Sequence, residues 1–149
     1  MAEPTPEFLT ELLGSVLEDS AFLLAEPVEE RPRFEGSVLL ARIAFESMRG
    51  GTLRLLTTPE AATEIAANML GIEPGEEARS SGRAAVSELL NVLGGSFLIR
   101  YFGAAVPSQL GLPTSEVLSD WPGAPLSCAA AVRLESGAPL VLELDLEER

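Results

Sequence analysis

A length of 149 residues allows one domain with a single hydrophobic core, and 46% hydrophobic residues exclude extensive intrinsic disorder. The formal net charge of -13 opposes phosphate backbones and anionic membrane surfaces, so we expect neither nucleic acid nor a membrane as a partner. The ten basic residues are all arginine and histidine is absent, which excludes imidazole bases, Schiff-base lysines and the Walker lysine.

The first predicted element is a helix from about Pro6 to Leu24. Apolar residues recur in it at the three- and four-residue spacing of a helix that buries one face. The proline-containing stretch 27–32 then ends the helical pattern. The apolar stripe consists of Leu9, Leu12, Leu13, Val16, Leu17 and Phe22.

Two strands are predicted next, residues 37–47 and 52–57, joined by a turn with two consecutive glycines. In the second strand, Leu53 and Leu55 alternate with polar residues. Because successive side chains of a strand point to opposite faces, we expect a hairpin with one buried face.

A second helix is predicted to begin after Thr58. The Thr58 hydroxyl can cap the helix, Pro59 suits the first helical position, and Glu60 lies near the positive end of the helix dipole. Gly71 is predicted to end this helix. Its buried face is expected to contain Ala62, Ile65, Ala66 and Met69.

A third helix is predicted from about residue 81 to residue 102, with two faces of different character. At about 100° per residue, one broad arc is apolar and consists of Val86, Leu89, Leu90, Leu93, Phe97 and Tyr101. A narrow arc on the opposite side contains Ala84, Glu88, Asn91 and Gly95. The helix should therefore direct a polar pair away from the core.

A connecting loop, residues 107–125, precedes a second hairpin made of strands 127–135 and 139–147. Leucine alternates with acidic residues along the last strand. The predicted order is helix, hairpin, helix, helix, hairpin, so a helix followed by a hairpin occurs twice.

The helices that open these two units share a short sequence. Glu-Leu-Leu begins at Glu11 and again at Glu88, but Gly14 stands where the second copy has Asn91. The duplication therefore predicts a two-fold scaffold with one working site.

One helix and one hairpin cannot cover their own apolar sheet face, so the two units should pack together. We predict a single α+β domain over residues 1–149, with a pseudo-two-fold repeat of helix plus hairpin. Its halves are approximately residues 6–57 and 81–147, and its antiparallel-rich sheet is packed by helices.

Glu88 and Asn91 are the candidate functional pair. A polar pair on an exposed helix face is by default a solvated surface, but Asn91 is one of only two asparagines and a mediocre helix former. Gly94 and Gly95 follow, and each costs roughly 1 kcal/mol against alanine. Close helix-to-sheet packing is the alternative explanation for Gly94, but it fits Gly95 less well. The stripe beside Glu88 and Asn91 therefore suits close approach by the backbone of a partner.

This order of elements is similar to that of the CheC/CheX/FliY family of chemotaxis phosphatases and most resembles its single-site CheX-like members. The family pattern has Asp or Ser, then Glu four residues later, Asn three residues after that, and Pro about 23 residues further on. Glu88 and Asn91 match this pattern, Ala84 replaces the Asp or Ser, and Pro113 falls one residue early.

The resemblance implies a protein phosphatase that hydrolyses the aspartyl phosphate of a phosphorylated CheY-like response-regulator receiver domain. It makes Asn91 and Glu88 the catalytic residues: Asn91 would orient the attacking water, and Glu88 would pair with a lysine of the receiver. The Mg²⁺ would be supplied by the receiver, so we expect no metal ion or cofactor of the chain's own. The expected partner contacts are Ala84, Ser87, Gly95 and Pro113, and the resemblance also implies a homodimer.

Two alternatives remain open at this point. One is a catalytically weak or inactive CheX-like interaction module in two-component or chemotaxis signalling, which the loss of a polar group at Ala84 favours. The other is a structural part of an assembly, akin to the middle domains of flagellar-switch proteins. If the protein is a phosphatase, the first copy, with Gly14, lacks an orienting amide and should not support turnover.

The remaining expectations concern redox chemistry and location. Cys128 is the only cysteine and lies beside an alanine-rich apolar run, so it is predicted to be a buried hydrophobe without a disulfide. The sequence starts without the basic and apolar regions of a signal peptide, and no apolar run approaches the roughly 18 residues of a membrane helix. We therefore expect a cytoplasmic protein.

Overall fold

The computed structural model describes residues 2–148. The helices in this range are α1 (Pro6–Ala21), α2 (Pro59–Leu70), α3 (Glu76–Ser80) and α4 (Gly82–Phe97), which continues as a π-helical segment, Leu98–Phe102. The strands in the same range are β1 (Ala25–Pro27), β2 (Val38–Glu46), β3 (Gly51–Thr57), β4 (Gln109–Leu110), β5 (Thr114–Leu118), β6 (Cys128–Leu134) and β7 (Pro139–Leu146).

The described strands form one antiparallel sheet in the order β1-β6-β7-β3-β2-β4, with β5 also paired to β2. The central strands β3 and β7 join the hairpin β2–β3 to the hairpin β6–β7. Helix α1 packs on β6 of the second hairpin, and α4 packs on β2 of the first. Each half of the chain therefore covers the sheet of the other half.

The two hairpins occupy corresponding places in the sheet. Strands β2 and β3 pair antiparallel in the first hairpin, β6 and β7 pair antiparallel in the second, and the two hairpins meet where β3 pairs with β7. The predicted α+β fold, with a pseudo-two-fold repeat of helix plus hairpin and an antiparallel sheet packed by helices, is confirmed.

Helix α1 ends three residues earlier than predicted. Phe22 adopts the left-handed conformation (φ 55°) and donates its backbone N–H to the carbonyl oxygen of Leu17. Its side chain is 72% exposed, so assigning Phe22 to the buried stripe was wrong. The other five predicted members of the stripe are buried.

Helix α2 begins and ends as predicted. The hydroxyl of Thr58 accepts a hydrogen bond of 3.0 Å from the backbone N–H of Ala61. Gly71 caps the other end in the left-handed conformation (φ 67°), which costs glycine little because it has no Cβ.

The prediction that the first hairpin buries only one face was wrong. The main core lies between the sheet and the helices, but a second buried cluster covers part of the helix-free face of the sheet. This cluster consists of Val38, Leu40, Leu56 and Val141, with Phe34, Leu118, Trp121 and Ala131 packed against it. The alternation of apolar and polar residues predicted that the polar side chains of the central strands are exposed. Two of them, Arg54 and Glu143, are instead buried as an ion pair.

The thiol of Cys128 is buried and free, as predicted. Burial raises the pKa of this thiol, and the nearby carboxylates of Glu3 and Glu7 raise the pKa further. The thiolate, which is the reactive form of cysteine, is therefore disfavoured. Within residues 2–148, no helix is both long and apolar enough to cross a membrane.

Candidate functional site

Helix α4 places Glu88 and Asn91 on the side opposite to its buried stripe. Ala84 and Glu88 are exposed, and Asn91 and Gly95 are half-buried. Among the described residues, no hydrogen bond or ion pair engages the side chain of Glu88 or Asn91. Both polar groups are therefore available to a partner molecule.

The two adjacent glycines of α4 have different surroundings. A Cβ at Gly94 would lie 2.8 Å from Cδ1 of Leu110, so this glycine permits close packing of α4 against β4. A Cβ at Gly95 would have no atom within 4 Å. Packing therefore explains Gly94 but not Gly95, whose lack of a side chain leaves the surface beside Asn91 open.

The segment that carries Pro113 is not the irregular loop that was predicted. Leu110 of β4 pairs with Phe45, and Thr114 of β5 pairs with Arg42, so three residues on this strand oppose two on β2. One extra residue of this kind is a β-bulge, which bends the strand and changes the direction of its side chains. The alternating pattern was missed because both strands are short and interrupted by the bulge.

Two contacts fix this bulged segment along α4. Leu110 lies against Gly94, and the guanidinium of Arg83 donates to Ser115, from Nε to the hydroxyl at 3.3 Å and from Nη2 to the carbonyl oxygen at 2.5 Å. Arg83 and Gly94 are eleven residues apart on the helix, which corresponds to about 16 Å. Leu110 and Ser115 are five residues apart on an extended strand, which also corresponds to about 16 Å. The segment therefore runs antiparallel to α4 and places Pro113 between these two contacts, at about the height of Ser87.

The structure thus brings most of the predicted site together. Ser87 is half-buried and lies on the same line of α4 as Arg83, facing the bulge. Around the circumference of α4, Asn91 lies next to this line, and Glu88 lies further from the bulge than Asn91 does. Sequence analysis missed Arg83, although its position four residues before Ser87 placed it on the same helix face.

The corresponding face of α1 lacks the carboxamide. Glu11 is exposed, and a Cβ at Gly14 would have no atom within 4 Å. Packing therefore does not require glycine at this position, and the first copy offers no group that could orient a water molecule there. Within residues 2–148, no cluster of three or more histidine, cysteine, aspartate or glutamate residues could hold a metal ion.

Comparison with known proteins gives a match in structure only. No protein-family model matches the sequence, and no curated protein sequence matches it. The chain is similar to the crystal structure of CheX from Desulfovibrio desulfuricans, with a TM-score of 0.70 at 16% identity over 93% of this chain and 96% of that one. It is also similar to CheX in the CheX–CheY–BeF3–Mg²⁺ complex from Borrelia burgdorferi, with a TM-score of 0.69 at 16% identity over 97% and 99% of the two chains.

The middle domain of FliM from Vibrio alginolyticus gives a lower TM-score of 0.57, at 14% identity over 95% of this chain and 92% of that one. The chain therefore has the CheX/CheC-like fold that its sequence resembled.

Proposed function

We infer that the protein acts on a CheY-like receiver domain in chemotaxis or related two-component signalling and accelerates hydrolysis of its aspartyl phosphate. One observation carries this proposal. The carboxamide of Asn91 has no partner among the described residues and lies on an open helix face beside the Pro113 bulge. The fold that presents it is shared with a CheX whose structure contains CheY, BeF3 and Mg²⁺.

The proposed reaction needs little chemistry from this chain. A water oxygen attacks phosphorus in line with the aspartyl oxygen, the acyl phosphate bond breaks, and the protons of the water remain on the released phosphate or pass to solvent. The receiver's own Mg²⁺ and lysine would neutralise the negative charge of the phosphoryl group. The remaining requirement is a correctly placed water molecule.

Asn91 suits this requirement. A carboxamide donates and accepts hydrogen bonds at once, and it stays neutral beside a phosphoryl group. Its place on the open face of α4, beside the bulged segment, lets a partner bring its phosphorylated aspartate to the carboxamide. Gly95, one turn further along the stripe, leaves room for that approach.

Glu88 has a different role in the proposal. Its exposed carboxylate lies one turn before Asn91 and can pair with the receiver's lysine. Such a pair fixes the orientation of docking and speeds association. Docking and water placement therefore belong to two separate side chains.

A non-catalytic interaction module is the second candidate, and one observation favours it. Ala84 is exposed on the same stripe and carries no polar group, where the resembling family has an acidic or hydroxyl residue. Such a module would occupy the receiver and protect its phosphate rather than release it.

A phosphate-release assay separates the candidates. Receivers encoded near this protein are phosphorylated with a small-molecule phosphodonor and mixed with the protein or with its Asn91→Ala variant. Asn91-dependent acceleration supports the phosphatase. A lengthened or unchanged phosphate lifetime together with measurable binding supports the interaction module, whereas copurification with a multiprotein complex and no receiver binding supports an assembly role.

A further inference from the structure

Leu112, at the tip of the β4–β5 bulge, is the most exposed large hydrophobic residue in the part of the chain that the structure describes. Its side chain is 89% exposed. A single exposed leucine is common on protein surfaces and by itself indicates nothing. The position of Leu112 is what distinguishes it, because the bulge runs beside the face of α4 that carries Asn91.

The backbone around Leu112 is held on both sides. Before it, the N–H of Gly111 donates a hydrogen bond of 2.8 Å to the carbonyl oxygen of Ala44. After it, β5 pairs with β2, and Arg83 binds Ser115 from α4. A side chain on such a fixed segment loses less conformational freedom on binding than one on a mobile loop.

A second apolar side chain extends this surface. Val117 is 48% exposed and lies opposite Leu39, which belongs to the core beneath the helices. Because paired residues of antiparallel strands point to the same face, Val117 lies on the helix side of the sheet edge. Val117 and Leu112 are therefore two exposed apolar side chains on the bulged segment that Arg83 and Leu110 hold along α4.

We propose that Leu112 is an apolar anchor for the receiver domain and that Arg83 is the positioning residue that holds the bulge in place. This inference rests on the proposed function. A typical interface buries about 800 Å² per partner, which corresponds to a radius of roughly 16 Å. Leu112 is two residues from Leu110, which contacts α4 at Gly94, three residues from Asn91. An interface of this size centred on Asn91 therefore reaches Leu112, and burial of a large side chain within an interface commonly dominates affinity.

The test measures affinity for a receiver loaded with beryllium fluoride, which is not hydrolysed. Leu112→Ala is expected to raise Kd at least tenfold, and Leu112→Asp more, while kcat for the phosphorylated receiver at saturation stays within twofold. The matched control is Leu126→Asp. Leu126 is also exposed, but it follows Pro125, which contacts Arg54 on the helix-free side of the sheet, so Kd should change less than twofold.

The positioning role of Arg83 is tested by separate variants. Arg83→Gln should raise Kd and also speed amide hydrogen exchange at residues 112–117. Arg83→Lys should restore only part of the affinity, because lysine cannot form both bonds to Ser115.

Equal affinities of the parent and Leu112→Asp would overturn the inference and leave the proposed function intact. A change in oligomeric mass without a change in receiver affinity would also overturn it and assign Leu112 to a contact between copies. Failure of the parent protein to bind any receiver would overturn the proposed function itself.

Discussion

Arg54 and Glu143 face each other in the register of the two central strands, and Nε of Arg54 donates a hydrogen bond of 2.8 Å to Oε1 of Glu143. Arg31 pairs with the second oxygen of this buried carboxylate. Nη2 of Arg54 also donates to the carbonyl oxygen of Pro125 at 2.8 Å. The ion pair therefore fastens two loop segments to the helix-free face of the sheet.

Glu143→Ala is expected to lower the free energy of unfolding by about 3–5 kcal/mol, because it leaves the guanidinium of Arg54 buried without its counter-ion. Denaturant unfolding monitored by circular dichroism measures this change. The control is Glu116→Ala, which removes an exposed pair with Arg42 at 4.0 Å and should cost no more than about 1 kcal/mol. Equal losses in the two variants would contradict the structural role of the buried pair.

Asn91→Ala is expected to lower the rate of catalysed dephosphorylation on the order of 10²-fold, roughly 2.7 kcal/mol of barrier, while folding and receiver binding change little. The loss should be confined to turnover because the side chain has no partner within the described residues. Single-turnover phosphate release measures it. The chain's other asparagine provides the control: Asn68 lies on α2, where it donates to the carbonyl oxygen of Phe22, and Asn68→Ala should keep the parental rate. A parental rate in Asn91→Ala would end the phosphatase proposal.

Glu88→Ala is expected to weaken receiver binding and activity together. The loss should shrink as ionic strength rises, because salt screens the charge pair that the variant removes. Binding titrations at low and high salt measure this dependence, which Asn91→Ala should not show. Glu11→Ala changes the matching carboxylate of the first copy and should leave receiver dephosphorylation unaltered. A salt-independent loss in Glu88→Ala would argue against a docking role.

We predict a homodimer. In the described part of the chain, β5 pairs only with β2 and leaves its outer edge open, and open edges favour pairing with another strand. Light scattering at micromolar concentration should give about twice 15.8 kDa. A monomer mass under these conditions would refute this prediction.

Local chemistry was sufficient to predict much of this protein. The cap at Thr58 and the glycine at Gly71 set the ends of α2, and helical spacing alone directed Glu88 and Asn91 away from the core. The repeated Glu-Leu-Leu segment predicted the two-fold arrangement of helices and hairpins. These features depend on neighbours only a few residues apart, so they can be recognised without the fold.

The remaining features depend on contacts between distant segments. Alternation along β3 and β7 predicted exposed polar side chains, but the second covered face of the sheet buries Arg54 against Glu143. Likewise, the segment that carries Pro113 lies along α4 only because a one-residue bulge and the bond from Arg83 to Ser115 set its path. The sequence by itself determined the candidate residues, whereas the tertiary structure decided which segments lie beside them, because strand register and loop packing depend on segments that are far apart in the chain.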